Sequence, residues 1–273
     1  MKKLGFIGGG NMAEALAHGL IEHKVLHAGD LIASDIAPAR RSALKRRLKV
    51  ETTPDNLLVI RRARAVLIAV KPQTIDAVLS EIGSALKPGA TSHLFISIAA
   101  GVPSEHICRF LGPRARVIRV MPNAPAMVGQ GMAALVRGKG ASKADESFAL
   151  RIFRAVGDAV ALRDERLLDG VTALSGSGPA YVYLFVKAMV DAAINEGIPR
   201  DLALRMTLQT LRGAEQVMRR SRHEVAELIR IVASPGGTTE AALRRFAETG
   251  FSDIVARAIH AAADRSRELG RAI

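Results

Sequence analysis

The chain has one cysteine, no tryptophan and only 4% aromatic residues in a length of 273. Cys108 alone can form neither an intramolecular disulfide nor a multi-cysteine metal site. Folding without disulfides suits a reducing compartment, so a cytoplasmic location is expected. The seven histidines form no H-x-x-x-H or similar cluster, and no metal is expected. With so few aromatic rings, stacking platforms for single-stranded nucleic acid are poorly supplied. No uncharged apolar run approaches the roughly 20 residues that span a bilayer, so no membrane partner is expected. Met1-Lys2-Lys3 could open a secretory n-region, but the apolar run behind it, Leu4 to Ile7, ends at glycine. No signal peptide is expected there.

Acidic residues are scarce as well. Twenty-six Asp and Glu face 39 Lys and Arg, a formal charge of +13. Such a balance attracts phosphorylated cofactors, acidic substrates or nucleic acid. The basic clusters are Arg40-Arg41, Lys45-Arg46-Arg47, Arg61-Arg62-Arg64 and Arg219-Arg220-Arg222. A solvated basic surface is the simpler reading of them, and no nucleic-acid partner is expected. Apolar residues are plentiful at 49%, with 24% charged, which is enough for a sizeable core in one large domain or two ordinary ones.

The chain is organised around Leu4-Gly5-Phe6-Ile7-Gly8-Gly9-Gly10-Asn11-Met12-Ala13. A short apolar run ends in three glycines. A helical stripe follows, with Met12, Leu16 and Leu20 beside Ala13, Ala17 and Ile21. Strand, tight turn and helix make a diphosphate site: Gly8 turns the chain, Gly10 lets backbone approach phosphate, and Ala13 lets helix and strand pack closely. The helix N-terminus adds free N–H groups and partial positive charge. The spacing G-x-G-x-x-A is a permitted dinucleotide fingerprint.

A second strand, Asp30 to Ser34, ends in Ser34-Asp35, near the position of a ribose-reading residue. Asp35 suits a free 2′-hydroxyl and NAD, or simply caps the helix Pro38 to Leu48. Ser34, Arg40 and Arg41 suit a 2′-phosphate and NADP. The apolar run Ala65 to Val70 fits a strand buried on both faces and stops at Lys71-Pro72. Ligands of such sheets bind beyond the carboxyl ends of strands, which puts Lys71 at the cofactor edge; a solvated lysine would look the same. Further alternation follows: helix Ile75 to Leu86 closed by Pro88-Gly89, strand His93 to Ile98, helix Ser104 to Leu111, strand Arg116 to Val120. The small residues Ala99-Ala100-Gly101 leave room for a flat ring or form an ordinary turn. Met121 to Pro125 makes a rigid loop at the same edge. Gly131 to Val136 and Ala159 to Leu162 add strands around a helix at Lys143 to Val156. This alternation predicts an α/β fold with an N-terminal Rossmann-type doubly wound parallel sheet.

From about residue 164 long helical patterns take over. Helices are expected from Ser175-Gly176-Ser177-Gly178-Pro179 to Glu196, from Arg200 to Arg220, from His223 to Ile231, up to Glu248, and from Ser252 onward. Residues 180–194 are apolar nearly all round, and the second domain alone cannot bury them, so a homodimer through this domain is expected. The predicted domains are 1–163 and 164–273. Before the fourth helix, Ser234-Pro235-Gly236-Gly237-Thr238-Thr239-Glu240 forms an anion trap suited to a carboxylate or a phosphate. Glu165, ahead of the first long helix, is either a substrate contact or a surface carboxylate.

Taken together, Phe6 to Met12, Ala69-Val70-Lys71-Pro72, Ser97 to Gly101, Met121-Pro122-Asn123, Ser175 to Tyr181 and Ser234 to Thr239 resemble pyrroline-5-carboxylate reductase over nearly the full length. The resemblance implies reduction of Δ1-pyrroline-5-carboxylate to L-proline with NADPH or NADH, in proline biosynthesis. It also implies a cofactor domain followed by an all-helical dimerisation domain, with the active site between one subunit's cofactor domain and a partner's helical domain. It assigns Ile7, Gly8, Gly9, Gly10, Asn11 and Met12 to the diphosphate and Ser34, beside Asp35, to the adenosine ribose or its phosphate. Asn56 falls on the adenine side, and Ala69, Val70, Lys71, Pro72, Ala100 and Gly101 on the nicotinamide side. Ser234, Gly237 and Thr238 fall at the substrate carboxylate, held by the N–H groups of Gly237 and Thr238. Thr239 falls at the ring nitrogen as the catalytic contact, positioning it or relaying a proton. The chain departs from the family at His223-Glu224, where His-Pro is frequent, and at Arg230 and Ile231, where more polar side chains are usual. A 3-hydroxyacid dehydrogenase using Lys187, or a non-catalytic NADP-binding redox sensor, are the competing readings.

Overall fold

The computed structural model describes residues 1–86 and 93–271. Eight strands form one sheet: β1 (Lys2–Ile7), β2 (Leu31–Ser34), β3 (Glu51–Thr53), β4 (Ala63–Ile68), β5 (Leu94–Ser97), β6 (Arg116–Met121), β7 (Gly131–Arg137) and β8 (Gly157–Leu162). Their order is β3-β2-β1-β4-β5-β6-β7-β8. Neighbours are parallel except β6 and β7, which the direct connection 122–130 joins as an antiparallel pair. Without a crossover helix that connection cannot return the chain in parallel. Helix α6 (Lys143–Arg154) then provides a crossover, and β8 is parallel to β7.

The two-residue period of each strand sorts its side chains onto opposite faces of the sheet. Leu4, Phe6, Leu31, Ala33, Ala65, Leu67, Leu94 and Ile96 enter one core cluster, which α1 (Asn11–Glu22), α2 (Pro38–Leu48) and α6 cover with Leu16, Leu20, Leu44, Ile152 and Phe153. Ile7, Ile32, Val66, Ile68 and Phe95 enter the other, covered by α3 (Asn56–Arg62), α4 (Ile75–Ala85) and α5 (Ser104–Leu111). That is the doubly wound arrangement.

Most predicted elements are present, with local corrections. The strand expected over 65–70 runs from Ala63 to Ile68, which leaves Ala69 and Val70 in the following turn. Helix α4 ends at Ala85; Pro88 and Gly89, expected to close it, lie outside the described residues. β3 and α3 escape periodicity because one has three residues and the other seven; the readable sign is Asp55, whose Oδ1 accepts the Leu57 N–H at 2.8 Å and caps α3.

The chain divides into two compact units at a different place from the predicted junction. One comprises Met1–Ser177 and the chain from Ala261; the other is Gly178–His260. Helix α7 (Leu167–Val171) stays with the first because Leu168 packs beside Ala134 and Val136 of β7. A π-helical turn, Thr172–Gly176, continues it. The second unit holds α8 (Gly178–Asn195), α9 (Arg200–Arg220), α10 (Val225–Val232), α11 (Thr238–Glu248) and the start of α12 (Phe251–Arg271). Within it Phe251 lies 6.4 Å from Phe185 and 5.2 Å from Phe246, ring to ring. Val182, Tyr183 and Leu184 on α8 and Met206 on α9 are exposed in the single chain. Among the described residues no helix is long and apolar enough to cross a membrane.

Candidate active site

In the first unit the parallel register sets Ile7 opposite Ser34 and Ile68, and Ile68 opposite Ser97, so four strands end at one level. The backbone ladder extends one step into the loops: Gly8 N–H donates to Ser34 O at 2.9 Å, and Ala69 N–H to Ile7 O at 2.8 Å. Gly8 turns the chain there with φ +96°, and a Cβ on it would stand 2.7 Å from Ala69 O. Only glycine fits that combination. Gly10 then precedes α1 with no side-chain cap, and a Cβ on it would meet nothing within 4 Å. The first N–H groups of α1 thus have no side-chain cap beside an open turn, a cradle that fits a diphosphate.

The remaining predicted coenzyme residues gather around this turn. Ile7 is buried in the core and offers only backbone, whereas Asn11 is exposed and Met12 half-buried. Ala69, Val70 and Pro72 are half-buried, Lys71 is exposed, and Ala100-Gly101 follow β5 at the same edge. A cleft of about 910 Å³ runs along α1 from Asn11 to His23 and takes in Gln130 and Val156. Of the predicted coenzyme residues it includes Asn11 alone, so the cleft meets the diphosphate cradle only at the first residue of α1.

At the end of β2 the structure separates three side chains that the sequence grouped. Ser34 is fully buried, and its hydroxyl donates to Asn56 Oδ1 at 2.7 Å, while Asn56 Nδ2 donates to Glu81 Oε2 at 2.8 Å. Ser34 thus fixes Asn56 from inside and does not itself reach solvent. Asp35 is fixed by backbone: its Oδ2 accepts Gly9 N–H and its Oδ1 accepts Ala37 N–H, both at 2.8 Å. Arg40 donates through Nε to Gly9 O at 2.8 Å and through Nη2 to Glu14 Oε2 at 3.0 Å. Arg41 donates through Nη1 to Asp35 O at 2.7 Å and to Ile36 O at 3.0 Å.

Glu165, which the sequence offered as a substrate contact or a surface carboxylate, is tied to side chains and backbone of its own unit. Its Oε1 accepts Ser104 N–H at 2.7 Å and Arg119 Nη1 at 3.1 Å, and its Oε2 accepts the Ser104 hydroxyl at 2.5 Å. Ser104 opens α5 and Arg119 is 7% exposed on β6, so the carboxylate caps a helix and neutralises a buried cation. Asn123, a buried polar side chain in a loop that the sequence marked only as rigid, bridges Ser175 O at 3.0 Å and Met132 N–H at 2.8 Å. It ties the end of β6 to the π-helical turn.

The second unit holds the other cradle. Gly236 turns with φ +69° and donates its N–H to Glu240 Oε2 at 2.7 Å. Gly237 precedes α11 with no side-chain cap, and its own N–H donates to Ser234 O at 3.0 Å. That bond uses within the turn the Gly237 N–H that the sequence reading gave to a carboxylate. The unpartnered donors of an α-helix lie in its first turn, here from Thr238 and Thr239. Thr238 and Ser234 are exposed and Thr239 is half-buried. Lys187 on α8 pairs with Asp191 at 2.5 Å. Among the described residues no group of three or more His, Cys, Asp or Glu side chains could hold a metal.

A glycine turn feeding an uncapped helix at the carboxyl edge of a doubly wound sheet, followed by a helical second unit, defines the class: a dinucleotide-dependent oxidoreductase of Rossmann type. Residues 3–101 match the family described as NADP oxidoreductase coenzyme F420-dependent, and residues 165–269 that described as pyrroline-5-carboxylate reductase dimerisation. The chain is 42% identical to the pyrroline-5-carboxylate reductase of Pseudomonas aeruginosa, over 98% of this chain and 96% of that one. It is 39% identical to that of Synechocystis over 98% of each. The solved reductase of Coxiella burnetii superposes with a TM-score of 0.91 at 34% identity, covering 98% of both chains. That of Plasmodium falciparum, with NADP bound, superposes at 0.88 with 31% identity and the same coverage. The chain belongs to the pyrroline-5-carboxylate reductase family.

Proposed function

We propose that this chain reduces Δ1-pyrroline-5-carboxylate to L-proline, with NADPH or NADH as the reductant, and so serves proline biosynthesis. When bound, the reduced nicotinamide supplies the hydride that adds to the imine carbon. The residues of the chain bind and orient. Gly8 and Gly9 shape the turn, and the backbone N–H groups of Gly10, Asn11 and Met12 hold the diphosphate, with Asn56 at the adenine side and Ala69 to Pro72 and Ala100-Gly101 at the nicotinamide side. The first-turn N–H groups of Thr238 and Thr239, helped by the helix dipole and the Ser234 hydroxyl, hold the substrate carboxylate. The Thr239 hydroxyl hydrogen-bonds the ring nitrogen, which already carries its proton and takes up the electron pair of the double bond as a lone pair when hydride adds to carbon. A protonated imine is already electrophilic, so orientation accounts for much of the rate enhancement.

The observation that carries this reading is the uncapped start of α11 behind Ser234-Pro235-Gly236-Gly237, a built anion cradle in a chain whose first unit carries the dinucleotide turn. The rival use of Lys187 as a proton donor fits less well, because that ammonium is exposed and paired with Asp191. The exposed apolar residues of α8 and α9 support assembly as a homodimer or higher oligomer through the second unit. The single cysteine supports a cytoplasmic home. Absorbance at the nicotinamide band, followed with pyrroline-5-carboxylate and each reduced coenzyme in turn, tests the activity. Turnover with at least one is expected; none with either overturns the reading.

A further inference from the structure

The end of β2 carries two arginines whose roles the geometry separates. Arg40 is neutralised by Glu14 at 3.0 Å, and its Nε holds the Gly9 carbonyl, so it braces the glycine turn itself. Arg41 is half-buried and anchored by one nitrogen, Nη1, on the Asp35 and Ile36 carbonyls. Among the described residues it has no carboxylate partner. Its remaining guanidinium donors and its whole charge stay available at the strand end where a dinucleotide fold reads the ribose. Asp35 sits beside it, with its carboxylate fixed by Gly9 and Ala37 N–H groups. Ser34, the other polar group there, is turned inward onto Asn56.

We propose that Arg41 is the specificity-determining residue for a coenzyme 2′-phosphate, and that the fixed Asp35 carboxylate opposes it. Arg41 supplies a charge-assisted donor pair to the phosphate. Asp35 accepts from a 2′-hydroxyl and repels a 2′-phosphate. The ratio of NADPH to NADH use is therefore set by this pair, while Arg40 affects both coenzymes alike through the turn. The inference rests on the coenzyme part of the proposed function and not on the identity of the imine.

The test is calorimetric binding of two fragments, adenosine 2′,5′-bisphosphate and 5′-AMP, to the native protein and to Arg41→Gln, Arg40→Gln and Asp35→Asn, without any pyrroline substrate. The native protein is expected to bind the bisphosphate more tightly. Arg41→Gln should weaken the bisphosphate about tenfold or more and leave 5′-AMP within about twofold, which also reports an intact fold. Arg40→Gln should weaken both fragments by a similar factor. Asp35→Asn should tighten the bisphosphate relative to 5′-AMP. Equal binding of the two fragments by the native protein, or equal weakening of both by Arg41→Gln, overturns the proposal. A protein that selects the bisphosphate but reduces no pyrroline-5-carboxylate would overturn the proposed reaction alone.

Discussion

Gly101 and Gly270, 169 residues apart, meet backbone to backbone: a Cβ built on Gly270 would stand 2.8 Å from the Gly101 carbonyl oxygen. Gly101 sits in the turn after β5 with φ +78°, and the end of α12 lies against it. Ser266, one turn earlier in the helix, donates to Asp169 Oδ1 at 2.6 Å and fixes α12 on α7. The last helix thus returns to the first unit and presses on a loop assigned to the nicotinamide side.

Gly270→Ala should therefore push that loop or lift the helix. Overpacking of this kind costs about 1–3 kcal/mol, and thermal unfolding should shift down by several degrees. The KM for coenzyme should rise more than the KM for substrate. Unchanged stability and unchanged coenzyme KM would show that the contact is slack.

Glu165→Ala should damage the fold and spare substrate affinity. It removes the cap of α5 and leaves Arg119, 7% exposed, without its charge partner. Hydrogen bonds to charged groups contribute about 1.5–3 kcal/mol, and chemical denaturation should register a loss of that order. A rise in substrate KM at unchanged stability would return Glu165 to the substrate.

Two carboxylates at the start of α6 should set part of the acid limit. Burial alone pushes the Asp145 carboxyl up, yet the Arg116 guanidinium and the Ser142 N–H and hydroxyl together hold it below its ordinary value. The Lys143 ammonium, aided by Arg137, holds Glu146 low against its burial. A carboxylate depressed in the folded state contributes stability above its unfolded pKa, about 4, and loses it as pH falls through the folded value. Unfolding free energy measured from pH 6 down to pH 3 should therefore drop less steeply in Asp145→Asn and Glu146→Gln than in the native chain, from a lower starting point. Parallel curves would place the acid limit elsewhere.

The self-association surface can be tested on α8. Val182, Tyr183 and Leu184 follow one another on the helix and all are exposed in the single chain, Leu184 by 69%. Leu184→Lys would put an ammonium into an apolar contact, which is costly when unpaired. Sedimentation should show a smaller species for this variant at micromolar concentration. An unchanged mass would remove this face from the assembly.

The dinucleotide half of this fold was legible because its signals are local. Leu4 to Gly10 compresses strand, turn and helix start into seven residues, and the runs around Val66 and Phe95 are apolar on both faces. The start of α8 near Gly178 and its end before Gly197 were readable from proline and glycine placement. What escaped depends on distant partners. The antiparallel β7 follows from a connection too short for a crossover, the inward turn of Ser34 from Asn56, and the bracing role of Glu165 from Ser104 and Arg119. The second cradle was legible as a composition, Ser234 to Thr239. The use of the Gly237 N–H within its own turn was not, because that depends on the Ser234 carbonyl and not on residue type.

Thr239 is where that composition becomes chemistry. It stands in the first turn of α11, so in the proposed site its N–H belongs to the anion cradle while its hydroxyl can act as donor or acceptor at the substrate nitrogen. Removing only the hydroxyl separates the two functions. Thr239→Val keeps the backbone donor and the shape of the side chain, and should leave the KM for substrate nearly unchanged. It should lower kcat by about one to two orders of magnitude, the loss expected for one hydrogen bond made more strongly as charge moves on the nitrogen. Thr239→Ser restores the hydroxyl and should recover most of the rate. Lys187→Ala, at an exposed ion pair, should keep full activity. If Thr239→Val turns over like the native enzyme while Lys187→Ala does not, the proton is handled on α8, and α11 serves only to hold the carboxylate.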